Sequence, residues 1–493
     1  MAAKKKVATK AAPAGRAIKR VLFATGEAMP FLRSGGLGDV AGALPQALAK
    51  EGVDCRVIMP YYSGIPSMYT DTMRFVGNTY VNLGWRKQYC GIFQSSSAGV
   101  TYYFVDNEYY FRRNTMYGQY DDAERFAFFC KAVLEAMNII DFEPQVIHCN
   151  DWHTALIPVF LDVFYRGVDK LSNVKTVFTI HNIEFQGKYD ISLAHEICAL
   201  PNEAISLVEY AGAMNYLKGG IECANAVTTV SPTYARELQD PFYAYDLDSI
   251  LKARQYKITG IINGIDPELY NPMTDSAISV PFDVNTIEKR IENKKALCEL
   301  LNLNYREDRP IISMISRLTT QKGFDLVLEV AEELLAADIQ LVILGTGEWR
   351  FENGFKELER RYGAKLRVII NFSKDLASKL YASSDIFLMP SKFEPCGLSQ
   401  MIAMRYGSVP VVRETGGLKD SVKPYDPTTK EGLGFTFYAY NGHEMLGAVW
   451  HAVDMYYNDK ENWRQIIKND MSTDFSWAVS AAKYADLYDG LLK

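Results

Sequence analysis

Short apolar runs, each closed by a glycine or a polar turn, alternate along this chain with amphipathic stretches. Runs of this length bounded by turn residues predict strands. They fall at 20–24, 55–59, 101–105, 146–148, 174–180 and 226–230. A helix is predicted over 40–52 and an amphipathic one over 124–138. The pattern pauses at Asn263-Gly264-Ile265-Asp266-Pro267, and a loop rich in Pro, Asp, Ser and Thr continues to 285; this is the predicted linker. Alternation then resumes, with strands at 311–316, 340–344, 366–370, 386–389 and 409–412, helices at 323–336 and 351–362, and a last helix at about 475–492. Strands separated by helices argue for parallel sheets. The expected fold class is therefore α/β, with two Rossmann-like domains.

Two turns stand out because both follow a buried strand and open a helix: Ser34-Gly35-Gly36-Leu37-Gly38-Asp39 and Thr415-Gly416-Gly417-Leu418. In an open parallel sheet, ligands bind at the carboxyl ends of strands. A helix N-terminus offers free N–H groups and a partial positive charge, which suits phosphate. Between the strand at 386–389 and the helical stretch that follows, the turn carries a carboxylate, Glu394, in Glu394-Pro395-Cys396-Gly397-Leu398. An acid beside phosphate-binding turns is an electrostatic conflict, of the kind kept to hold sugar hydroxyls next to a phosphate. Arg317 and Lys322 lie just past the strand at 311–316 and supply cations to the same end of the sheet.

Composition narrows the classes. The chain has 493 residues, 48% hydrophobic and 13% aromatic, enough for two or three domains with large cores. Its formal charge is −6, yet the first twenty residues hold seven basic side chains and no acid, so the remainder carries −13. An acidic body argues against nucleic acid as a partner. No apolar run is long enough to span a bilayer, so no membrane partner is expected. The eight cysteines are scattered, without a CxxC pair, which suits a reducing compartment and offers neither a disulfide framework nor a zinc site. The basic N-terminus lacks the apolar core of a secretory signal. It is expected to be a disordered tail over 1–19 of a cytoplasmic protein, the alternative being a plastid transit remnant.

Seven motifs, in order, cover nearly the whole chain: Arg33-Ser34-Gly35-Gly36-Leu37-Gly38-Asp39-Val40; His148-Cys149-Asn150-Asp151-Trp152-His153; Thr179-Ile180-His181-Asn182; Asn263-Gly264-Ile265-Asp266; Ser316-Arg317-Leu318 with Gln321-Lys322-Gly323; Glu394-Pro395-Cys396-Gly397-Leu398; and Thr415-Gly416-Gly417-Leu418. Together they resemble the bacterial glycogen synthase and plant starch synthase family. The resemblance implies a GT-B fold, two Rossmann-like domains facing each other across a deep cleft whose closure excludes water. It implies an N-terminal acceptor-side domain over 20–264, a C-terminal nucleotide-sugar domain over 265–474, and a helix at about 475–493 packing back on the first. The implied activity is transfer of glucose from ADP-glucose to the non-reducing end of an α-1,4-glucan, with retention and with neither cofactor nor metal.

Residue by residue, the resemblance implies that Arg317 and Lys322 meet the diphosphate and that Glu394 orients the glucose. It implies that Asp151 and His181 lie at the transferred sugar. Donor contacts are carried to Arg33, Gly35, Gly36, Leu37, Asp39, Asn263, Cys396, Gly397, Leu398, Thr415, Gly416 and Gly417, nucleobase stacking to Phe372, and acceptor contacts to Tyr109 and Trp152. One departure is notable. The family's usual lysine two residues before the glycine pair is Arg33 here, which keeps the charge but is larger, planar and forked. Two rival readings follow: a UDP-glucose-using or other-acceptor transferase, and a catalytically weak glucan-binding homologue. A hydrolase is disfavoured, since no two carboxylates are paired at a defined spacing. Cys396 has no cation set beside it by sequence, so a thiol nucleophile is not expected.

Overall fold

The computed structural model describes residues 16–493. Most of the basic tail predicted over 1–19 lies outside the described residues. From Arg16 onward the chain is held: the Arg16 guanidinium pairs with Glu51, Asp486 and Asp489, and the Ile18 N–H donates to Asp489 at 2.7 Å. The chain forms two compact units. Unit 1 comprises the described residues up to Thr229, with Leu238–Ile261 and Trp477–Lys493; unit 2 comprises Val230–Glu237 and Ile262–Ser476.

The main sheet of unit 1 has nine strands: β1 (Arg20–Ala24), β2 (Asp54–Pro60), β3 (Arg74–Leu83), β4 (Arg86–Ser97), β5 (Val100–Asp106), β6 (Val146–Asn150), β7 (Lys175–Ile180), β8 (Ala226–Thr229) and β9 (Ile258–Gly260). Their order is β9-β8-β7-β6-β1-β2-β5-β4-β3. Pairing is parallel from β9 through β5. Strands buried on both faces read as unbroken apolar runs, and Val21 to Ala24 are all fully buried. The β3–β4 hairpin is antiparallel and extends one edge; the apolar pattern did not predict it. Helix α1 (Gly36–Lys50) starts four residues earlier than predicted, straight from the Gly35-Gly36 turn. Helix α2 (Asp122–Glu135) carries a nearly all-buried run. The closing helix, Trp477–Leu491, packs on α1, and its Tyr488 hydroxyl meets His148 Nδ1 at 2.7 Å.

Unit 2 has six parallel strands, β10 (Ile311–Ile315), β11 (Gln340–Leu344), β12 (Leu366–Ile369), β13 (Ile386–Met389), β14 (Val409–Arg413) and β15 (Phe435–Phe437), in the order β12-β11-β10-β13-β14-β15. The helix predicted over 323–336 is two, Phe324–Glu329 and Ala331–Ala336, parted at Val330. Three short helices serve the site: α3 (Pro232–Glu237), α4 (Ser399–Arg405) and α5 (Gly416–Ser421). In each unit the strand order reverses between two neighbours, β1 and β6 in unit 1, β10 and β13 in unit 2. Such switch points are where α/β sheets open a crevice for ligands.

Candidate active site

In unit 2 the loops after β10 and β13 leave the sheet on either side of its switch point. The first carries Arg317 and Lys322; the second carries Glu394. Lys322 Nζ donates to Glu394 Oε2 at 2.5 Å, and the Ser391 hydroxyl donates to the same oxygen at 3.1 Å. Both charged side chains are largely buried. A desolvated carboxylate needs such partners, because an unpaired buried charge is strongly disfavoured. Arg317 remains exposed at the strand end, and among the described residues it makes no ion pair. Ser391 was missed by the sequence reading; an isolated serine in a loop carries no signal.

The turn Thr415-Gly416-Gly417 folds onto the Glu394 loop backbone to backbone. The Gly417 N–H donates to the Glu394 carbonyl at 3.0 Å. A Cβ on Gly416, at φ +44°, would stand 1.9 Å from that carbonyl oxygen; one on Gly417 would stand 2.0 Å from the Cys396 carbonyl oxygen. The N–H groups that the sequence offered to phosphate are used inside the protein. Gly416 N–H donates to both oxygens of Glu237 at 3.0 Å, with the Thr415 hydroxyl at 2.9 Å, and the Leu418 and Lys419 N–H groups donate to the Thr415 carbonyl. Burial pushes the Glu237 carboxyl above its usual range, although these donors oppose the shift.

Around Glu394, Asn263 is buried and its backbone N–H meets the Cys396 sulfur. Burial pushes the Cys396 thiol up to about 12, which keeps it protonated and un-nucleophilic. Gly397 and Leu398 lead into α4. Phe372 is 78% exposed, so its ring is a surface face and not core.

In unit 1 the loop after β1 forms the other Gly-Gly-Leu turn. Glu27, 2% exposed, accepts the Ser34 N–H and hydroxyl at 2.6 Å each, the Gly35 N–H at 3.3 Å and the Gly38 N–H at 3.0 Å. It does not take the N–H groups of Gly36 and Leu37. Gly35 and Gly36 are exposed, and a Cβ on either would meet nothing within 4 Å. Arg33 pairs closely with Asp39, both side chains about one-third exposed. Glu27 was not predicted; a carboxylate three residues past a buried strand and eight before a glycine pair was the available clue.

After β6 and β7 come Asp151 and His181. Asp151, 8% exposed, accepts the His181 N–H at 2.7 Å and adopts φ +56°, ψ −179°, a conformation disfavoured for any residue with a side chain. Burial, only partly offset by the His181 and Asn182 N–H groups, raises its carboxyl to about 7. His181 Nε2 meets Asn150 Oδ1 at 2.9 Å, and burial lowers the ring to about 3, so it is neutral at physiological pH. His148 is tied to Tyr488 and Thr179 inside the sheet. His153 packs against the Tyr117 and Trp152 rings, its nitrogens without a hydrogen-bond partner among the described residues. Trp152, expected on the acceptor side, is 8% exposed and packed against Phe126 and His153. Tyr109 keeps a 58% exposed ring, while Tyr110 is buried against Glu124.

Comparison with known proteins finds relatives over 96% of the chain. A family model described as the starch synthase catalytic domain covers residues 20–253, and one described as glycosyl transferases group 1 covers 302–469. The chain is 50% identical to a glycogen synthase of Anoxybacillus flavithermus over 475 residues, 96% of this chain and 98% of the relative. It is 48% identical to a glycogen synthase of Clostridium novyi, over 96% and 99%. The catalytic domain of starch synthase IV from Arabidopsis thaliana, bound to ADP and acarbose, superposes with a TM-score of 0.87 at 33% identity, over 96% of this chain and 99% of that one. Sucrose-phosphate synthase from Thermosynechococcus elongatus shares the fold, with a TM-score of 0.58 at 15% identity.

Proposed function

The chain belongs to the family of glycogen and starch synthases, glucosyltransferases of glycogen and starch synthesis, and on that premise we propose that it moves glucose from ADP-glucose to the non-reducing end of an α-1,4-glucan with retention of configuration. The observation that carries this reading is the Lys322–Glu394 pair at the unit 2 switch point, with Arg317 exposed on the same loop as Lys322. As the bond from the anomeric carbon to the diphosphate oxygen breaks, negative charge grows on the leaving group. Lys322 and Arg317 oppose that charge, and positioned donors of this kind are the largest catalytic contribution expected of a protein. Glu394 holds the glucose hydroxyls and balances the cationic sugar carbon. The acceptor hydroxyl oxygen then bonds to that carbon on the face the diphosphate leaves, and its proton passes to the departing phosphate oxygen.

Donor binding is assigned to unit 2, with Gly397, Leu398 and Asn263 around the sugar and Phe372 offering a ring face to the base. ADP in the starch synthase IV structure supports adenosine diphosphate as the leaving group. In unit 1 the Gly36 and Leu37 N–H groups are assigned to phosphate, Asp151 and His181 to the sugar, and Tyr109 to the glucan. Among the described residues no helix is long and apolar enough to cross a membrane. Incorporation of labelled glucose into glycogen, with ADP-glucose and UDP-glucose side by side, tests the proposal; preference for UDP-glucose overturns the donor, and no transfer from either overturns the reaction. A second reading, a weak glucan-binding homologue, draws on the Arg33–Asp39 pair, which partly neutralises that cation. It requires a large gain of turnover in Arg33→Lys, and an active wild-type chain removes it.

A further inference from the structure

Glu237 ends α3, far in sequence from the residues of the reaction, yet its carboxylate is wired to them through the backbone. It accepts the Thr415 hydroxyl and the Gly416 N–H at 2.9 and 3.0 Å. The next N–H along, that of Gly417, donates to the Glu394 carbonyl, and the carboxylate of Glu394 meets Lys322 at 2.5 Å. No side chain intervenes at Gly416 or Gly417, where even a Cβ would collide with the 394–396 backbone. The linkage is reciprocal. Asp420 on α5 accepts the Thr233 N–H and hydroxyl at 2.7 Å each, closing the start of α3, while Glu237 at the end of α3 closes the start of α5. Two short helices thus cap one another with carboxylates, and neither can shift without breaking charged hydrogen bonds, which are the strong kind.

We propose that Glu237 is a positioning residue for glucosyl transfer, setting the depth of the Thr415–Gly417 turn against the Glu394 loop and through it the placing of the Lys322–Glu394 pair. The inference rests on the function proposed above. A misplacement of about 1 Å at a distance from the chemistry can cost about a hundredfold in rate. Loss of the carboxylate frees the turn to move by that order, because the Gly416 N–H then has no acceptor. Glutamine keeps an oxygen for Thr415 and Gly416, so it retains the position.

The test compares Glu237→Ala, Glu237→Gln and Thr415→Val in the full chain, by steady-state transfer from ADP-glucose, thermal melting, and hydrogen–deuterium exchange in peptides spanning 392–400. Glu237→Ala is expected to lower kcat by roughly ten- to a hundredfold with KM nearly unchanged and faster exchange in 392–400. Glu237→Gln is expected to restore both, and Thr415→Val to show a smaller loss in the same direction. Unchanged kcat and exchange in Glu237→Ala overturn the proposal, as does equal impairment in the alanine and glutamine variants. If Glu237→Ala does not fold, Thr415→Val decides: unaltered kcat and exchange in a folded protein overturn it. Exchange reads the turn without any substrate, so an inactive wild-type chain with the expected exchange pattern faults the functional reading and spares the placement of the loop.

Discussion

The Gly-Gly-Leu turns at 35–37 and 416–418 use the same three residues for different physical ends. Each opens a helix after a parallel strand, and each is gripped by a carboxylate, Glu27 in unit 1 and Glu237 in unit 2. Glu27 comes from the same loop; Glu237 is 179 residues away in sequence from the glycine it holds. At 35–36 the glycines face open space, and two N–H groups are left over by the carboxylate. At 416–417 the glycines let two backbone segments touch, and the N–H groups from 416 to 419 are all used within unit 2. The first turn is built to be approached and the second to be packed. A glycine pair before a helix therefore does not by itself announce an anion site; what the missing Cβ would have met decides.

Substitutions separate the two designs. The largest loss is expected at the pair that the packed turn supports: Lys322→Ala and Glu394→Ala each lower turnover by about a hundredfold or more, with cooperative thermal unfolding retained. Near-normal rates in both would detach the second turn from the chemistry. Next come the glycines. Gly417→Ala forces a Cβ into the Cys396 carbonyl and is expected to cost about 1–3 kcal/mol or more in denaturant unfolding. Gly36→Ala, with nothing in its way, is expected to stay within about 0.5 kcal/mol of wild type while raising KM for the sugar nucleotide. Equal destabilisation by the two alanines would erase the contrast.

The parallel strands were readable because burial on both faces leaves an unbroken apolar run: 340–344 and 386–389 are found as predicted. The β3–β4 hairpin was not, because its outward face bears Tyr80 and Tyr89 where alternation calls for polar residues. Of the site, the charged residues at strand ends could be named from their motifs. The carboxylates that shape both turns could not. Glu27 is an ordinary acid in a loop until donors from Ser34, Gly35, Gly38 and Tyr117 converge on it, and Glu237 closes a contact that only the folded chain creates.

Smaller effects probe the carboxylate of the open turn. Glu27→Ala removes the acceptor of the Gly35 and Gly38 N–H groups and is expected to cost about 1–3 kcal/mol, measured by chemical denaturation; Glu27→Gln keeps an acceptor oxygen and costs less. A milder consequence reaches Asp151, whose carboxyl is raised to about 7 chiefly by burial, with Glu27 a minor like-charge contribution. The folded chain then keeps a proton on Asp151 that the unfolded chain has already released above about pH 4. Unfolding releases that proton between about pH 4 and pH 7, so this group makes stability fall as pH rises through the window, and the slope ends once the folded carboxyl ionises near 7. Asp151→Asn is expected to flatten the fall in denaturation curves taken from pH 5 to pH 8. Glu27→Gln removes one negative neighbour and is expected to move the upper end of the slope slightly down in pH. An upward shift would mean that the turn, rather than the charge of Glu27, governs Asp151.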